Sequence, residues 1–223
     1  MSRSEEFKQN LTNPANLRLT WKSAEKRYIS YNTITKTKET LGNIEFIVLS
    51  ETVSICGFNE AQNMGIFSNE IKNTKTEELV VRTKNGILIS GLYSDIKEKL
   101  GPLGGNFANN LSIKLKTGEL AVLQLSGAAL KVWFDYKELN KGKLLSNWVT
   151  TTGITEMKKG AVKYCVPVLT LGSILTKDED VSAENDYEKI KAYRNSFLEK
   201  TSLDAILQEH NTGMDEAIDD IPY

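Results

Sequence analysis

A single histidine, His210, serves the whole chain, and it lies in a polar stretch near the C-terminus. Nucleophilic catalysis of the Ser-His-Asp or Cys-His kind needs an imidazole held in a packed site, so this position argues against it. Cysteine is nearly as scarce. Cys56 and Cys165 each sit in an apolar, strand-like stretch, "VSICGF" and "YCVPVL". They read as buried thiols of a reducing compartment, with a disulfide as the minor alternative. No CxxC, HxH or HExxH spacing occurs, so no Cys/His metal site is expected. No phosphate-cradling GxxxxGKS or GxxxxGKT run is present, and "GPLGG" at 101–105 follows a candidate helix instead of opening one, so it reads as a tight turn. There is no run of about 18 apolar residues, so no membrane span is expected. The opening "MSRSEEFKQN" lacks an apolar segment, so no signal peptide is expected and a cytoplasmic setting follows. These absences predict a protein that is not an enzyme and needs no cofactor. A nuclease using carboxylates alone is the one catalytic alternative kept open.

The near-neutral net charge of −1 conceals a division. Residues 1–175 hold 23 basic and 16 acidic residues, a net of +7, whereas residues 176–223 hold 5 and 13, a net of −8. A basic body predicts an anionic partner, and an acidic extension predicts something that competes with it or simply solubilises the chain.

Periodicity predicts a mainly β body over 1–175 with many short strands, inserted hairpins and short helices, which suits an OB-fold-like barrel. "LRLTWKSAEKRYISYN" reads as a hairpin. "NIEFIVLSETVSICGF" reads as a long β stretch with a break near Ser50–Glu51. "VRTKNG" and "KLKTGE" mark hairpin turns, and Lys159–Gly160 marks a third. "SDIKEKLG" reads as a short helix capped by Ser94 and stopped by Gly101. "AALKVWFDYKEL" reads as a helix from which Trp133 or Phe134 plugs the barrel while another aromatic stays partly exposed. Residues 176–210 are expected to form a helical extension, with apolar residues Tyr187, Ile190, Tyr193, Phe197 and Leu198 at helical spacing and a further short helix at 201–210. They are expected to pack on the body or on a second copy of the chain, a homo-oligomer. Residues 211–223 read as a disordered acidic tail.

Single-stranded nucleic acid needs cations for its phosphates and flat side chains for its bases. Both interleave in Trp21, Lys22, Lys26, Arg27, Tyr28 and Tyr31. The competing reading makes Trp21 and Tyr28 core residues. Arg82 with Lys84, and Lys114 with Lys116, offer two further basic pairs at strand spacing, with Ile113 and Leu115 facing the core. Such pairs are also common on merely solvated faces.

The ending "MDEAIDDIPY" resembles the tip of bacterial single-stranded-DNA-binding proteins, which close in Asp-Asp-Ile-Pro-Phe. Asp219, Asp220, Ile221 and Pro222 match, and Tyr223 replaces the Phe. The body over about 17–170 resembles phage single-stranded-DNA-binding proteins with an OB-fold, through "WKSAEKRYISY", "IEFIVLSETVSICGF", "VRTKNG", "GLYSDIK", "LQLSGAALKVW" and "GAVKYCVPVL". The bacterial-type barrel is shorter than this body. The resemblance implies sequence-independent binding of single-stranded DNA in replication, recombination or repair, inside a host cell. It also implies that the tail competes with DNA and recruits replication or recombination enzymes, its apolar tip entering a pocket rimmed by basic residues. The Tyr223 hydroxyl departs from the pattern and points to a partner encoded alongside the protein. The alternative is a protein-interaction or structural module that binds no nucleic acid.

Overall fold

The computed structural model describes residues 12–200, and the side chains of 12–196. The expected tail with Asp219, Asp220, Ile221, Pro222 and Tyr223, the helix at 201–210, His210, and the side chains of Phe197 and Leu198 lie outside the described residues.

Among the described residues there are eleven strands and three helices, and the chain is mainly β. The strands are β1 (Leu17–Lys22), β2 (Arg27–Asn32), β3 (Lys38–Leu41), β4 (Glu45–Asn59), β5 (Met64–Ser68), β6 (Leu79–Thr83), β7 (Gly86–Gly91), β8 (Gly105–Leu115), β9 (Leu120–Ser126), β10 (Asn147–Lys159) and β11 (Val162–Ile174). Helix α1 spans Tyr93–Leu103, α2 spans Gly127–Leu139 and α3 spans Lys177–Lys200. Among the described residues no helix is long and apolar enough to cross a membrane.

All strands join one sheet in the order β3-β2-β1-β9-β8-β4-β5-β6-β7, with β10 paired to the start of β4 and β11 paired only to β10. The sheet is open, so the expected closed barrel is not formed. The reason lies at the gap between β1 and β11. The outward N–H of Cys165 donates to Ser23 Oγ at 2.7 Å, and its C=O accepts from Trp21 Nε1 at 2.8 Å. Side chains of the first hairpin thus take both main-chain groups of Cys165, which a strand ladder would otherwise use.

The hairpins follow the sequence expectation at "KSAEK", "KN", "KTGE" and "GA". The expected break at Ser50–Glu51 is instead a shift of register between Val48 and Ser50 inside one continuous 15-residue strand. This bulge passes Leu49 without a partner, so the faces of β4 exchange parity there. Helix α1 also differs from expectation. Leu92 is its N-cap residue, Ser94 Oγ bonds to Asp95, and the helix runs past Gly101 and Pro102 to stop at Gly104, φ +88°. A left-handed stop favours glycine, and Gly104 supplies it.

Three apolar clusters order the body. The largest lies on the inner face beneath α2 and holds Leu19, Tyr28, Phe46, Val48, Leu111, Ile113, Leu123 and Trp133. Trp133 is fully buried and stacks on Tyr136 at 5.8 Å, while Phe134 stays exposed under the Lys137 ammonium. A second cluster packs α1 against β4–β6 through Ile55, Ile66, Leu79, Val81, Ile96 and Leu100. A third, on the opposite face, holds α3 through Ile47, Leu49, Trp148, Ala183 and Ile190, with Tyr187 packed at its side. The expected stripe of α3 therefore packs on the body along this part of its length.

Candidate nucleic-acid interface

The inner face of the sheet is apolar. The register then dictates what its outer face carries, because side chains alternate along each strand and paired residues share a side. On β1 the inward residues are Leu19 and Trp21, so Arg18, Thr20 and Lys22 face outward. On β2 their partners Tyr31, Ile29 and Arg27 face the same way, and Lys38 follows on β3. Across β9, β8 and β4 the row continues through Gln124, Asn110, Ser112, Ser50, Thr52 and Ser54. Cys56 pairs with Phe67, Phe67 with Arg82, and Arg82 with Ile87, which carries the same face to β7. The two ends of this side carry cations and aromatics, whereas its centre is covered: Ile29, Asn110, Ser112, Thr52 and Ser54 are buried, and Arg194 of α3 lies over Ser50 and Ser112.

This arrangement gathers Lys22, Arg27, Tyr31 and Arg82 on a common face. Lys22 and Arg27 are exposed and form no ion pair among the described residues. The Arg82 guanidinium lies 5.0 Å above the Phe67 ring, and among the described residues its Nε has no hydrogen-bond partner and no carboxylate pairs with it. Lys84 is exposed at the β6–β7 tip.

Four of the ten expected contacts are placed otherwise. Tyr28 is 1% exposed on the inner face, and its hydroxyl, buried without a hydrogen bond, is pushed upward in pKa by that burial. It cannot stack on a base. Trp21 lies on the same inner face, half-buried, with its ring edge against Tyr28 at 5.0 Å. The cause is parity. Trp21 and Tyr28 are direct cross-strand partners, so they share a side with Leu19, whereas Lys22 and Tyr31 do not.

Lys114 and Lys116 face outward, but α3 lies against them. Lys114 Nζ donates to Ser182 Oγ at 2.6 Å and to Asp186 Oδ2 at 2.7 Å. Burial pushes the Asp186 carboxyl upward, but the hydrogen bonds from Lys114 and Lys189 outweigh it and hold the group below its ordinary range. Lys116 sits between Glu45 and Glu179 at 3.6 and 3.7 Å, its ammonium 3.8 Å above the Trp148 ring. Arg194 reaches Ser50 Oγ and Ser112 Oγ from the same helix. Thr176 and Glu179 fix the start of α3: Glu179 N–H donates to Thr176 Oγ1 and Thr176 N–H donates to the Glu179 carboxylate. This is a capping box, legible in "TKDE".

Lys26 projects from the β1–β2 turn and pairs with Glu156 at 2.8 Å, which raises the Lys26 pKa and lowers that of Glu156. The contact ties the turn to a β10–β11 arm that beyond Gly153 pairs only with itself. The arm is basic and apolar together, with exposed Lys158, Lys159 and Lys163 beside Ile154, Met157 and Val162. Sequence reasoning passed over these residues, and Arg18, Phe58 and Phe67 with them. Arg18 was within reach, since the alternation that turns Leu17 and Leu19 inward turns Arg18 outward.

Among the described residues no group of three His, Cys, Asp or Glu side chains is placed to hold a metal ion. A cleft of about 390 Å³ opens between β2–β3 and the β8–β9 turn, lined by Glu39, Glu45, Glu119 and Lys116. Its carboxylates make it a poor seat for a phosphate. Compared with known proteins, the chain matches no family model, no curated protein and no solved structure.

Proposed function

We propose that this chain binds single-stranded DNA without sequence preference, at the exposed ends of the outer sheet face and along the β10–β11 arm. The observation that carries the reading is the common placement of Lys22, Arg27, Tyr31 and Arg82 on one side of the sheet, with the first two cations exposed and without an ion pair among the described residues. Cations on such a face neutralise phosphates and release counterions, while flat side chains accept bases. The run β9-β8-β4-β10-β11 in the sheet, with α2 packed on it, supports an OB-like core, to which β1–β3 and β5–β7 are added. The role of Asp219, Asp220, Ile221, Pro222 and Tyr223 in recruiting a replication or recombination enzyme, and in competing with DNA, belongs to the same proposal and rests on sequence alone.

Trp133 and Trp148 are buried and Trp21 is half-buried inward, so quenching of an indole is a poor reporter. Fluorescence anisotropy of labelled oligo-dT at several salt concentrations is the suitable measurement. Affinity is expected to fall with salt at a log–log slope of about −0.7 per phosphate neutralised. The double variant Lys22→Glu, Arg27→Glu should bind more weakly and lose roughly 1.4 of that slope's magnitude. A wild-type protein that binds no oligonucleotide even at low salt would overturn the reading and leave a protein-interaction module in its place.

A further inference from the structure

The far end of the outer face holds a further exposed aromatic. Phe58, near the end of β4, is 46% exposed. It shares its side of the strand with Cys56 and therefore with Phe67 and Arg82. Its direct partner on β5 is Gly65, which has no side chain to cover the ring. The backbone beneath is held firmly. Phe58 N–H donates to the Gly104 carbonyl at 3.3 Å, and Gly57 and Gly104 pack so closely that neither tolerates a Cβ. Diagonally across from it on β5 is Phe67, and Arg82 of β6, without an ion pair among the described residues, lies 5.0 Å above that ring.

A half-exposed phenylalanine alone is ordinary. A rigidly presented ring on the same side as a guanidinium held over a second ring, one strand away, is a more specific arrangement. It offers a π-face for a base and a positive charge for the adjoining phosphate, the two contacts that single strands use. We propose that Phe58, with the Arg82–Phe67 pair, forms a second base-stacking platform, separated from Tyr31 and Arg27 by the covered centre of this side. On a flattened sheet the two ends lie about 30 Å apart, from strand spacing and rise. This inference rests on the proposed single-strand binding.

The test is Phe58→Leu in the full chain, titrated with labelled oligo-dT of about four and about sixteen nucleotides, the range of single-strand site sizes. The longer strand should bind about five- to a hundred-fold more weakly than to wild type, as expected for one lost base stack, with the salt slope unchanged. The shorter strand should lose much less. Phe58→Trp should restore binding, and an abasic sixteen-mer should not distinguish the variants. If wild type binds the sixteen-mer and Phe58→Leu binds it equally, the platform is overturned while the proposed function stands. If Phe58→Leu changes the molecular mass in light scattering, Phe58 is a contact between copies and the platform is likewise overturned. If wild type binds neither strand, both fall. Because Phe58 is half-exposed, Phe58→Leu should leave the melting temperature close to wild type, and Phe58→Trp controls for any loss of fold.

Discussion

Gly57 and Gly104 meet backbone to backbone. A Cβ on Gly57 would lie 2.0 Å from the Gly104 carbonyl oxygen, and one on Gly104 would lie 2.0 Å from the Phe58 carbonyl oxygen. The contact fixes the end of α1 against the end of β4. Since main-chain atoms occupy both positions, no rotamer change relieves the clash. Gly104→Ala also forces alanine into the left-handed region. Each substitution should lower stability by at least about 2 kcal/mol in urea denaturation. Gly42→Ala, where a Cβ meets nothing within 4 Å, should stay within about 0.5 kcal/mol of wild type.

Tyr28→Phe should be neutral or stabilising. The buried hydroxyl has no hydrogen-bond partner, and its removal deletes an unsatisfied polar group without changing the ring. Oligo-dT affinity should be unchanged. A loss of affinity with a normal melting curve would place Tyr28 at the DNA after all.

Asp186 predicts an acid-sensitive α3. Burial raises its pKa, but Lys114 and Lys189 prevail and lower it below the ordinary 3.8. A lowered native pKa contributes stability that is present above the unfolded value and lost as pH falls through the native one. Urea midpoints should therefore be steady from neutral pH toward the ordinary carboxylate range and then fall further than in Asp186→Asn, which lacks this component. An identical pH dependence in the two proteins would remove the claim.

Glu156→Gln should free Lys26. The pair is largely exposed, so stability should hardly change. If Lys26 then meets a phosphate, oligo-dT affinity should rise at low salt and the salt slope should steepen by about 0.7. No change in slope would show that Lys26 stays off the strand.

How far the sequence disclosed this architecture depended on the range of the interaction. Alternation in "LRLTWK" and turn residues at "KN" and "KTGE" act over two to four residues, so the hairpins were legible. So was α3, whose periodic Tyr187 and Ile190 do meet the body. The side taken by Trp21 and Tyr28 was not separable from that of Lys22 by composition. It follows only from the pairing register, with Leu19 as reference. The bulge at Leu49 reads in sequence as a break, because a parity change and a strand end interrupt alternation alike. The engagement of Lys114 by Asp186 joins residues 72 apart, and no local pattern announces it.

The hydrogen bond from Trp21 to Cys165 spans 144 residues, and β1 finds its parallel partner only in β9. Loop closure over such distances must precede the contacts that reward it, so this topology folds slowly compared with a chain of local hairpins. On a ribosome the first hairpin emerges early but waits for β9 to shelter its Leu19 and Tyr28. Until the last third of the body has been made, that hairpin presents an apolar face to the surroundings. The β1–β2 segment is therefore where aggregation of nascent or refolding chains should begin, and the stretch a chaperone would need to hold longest.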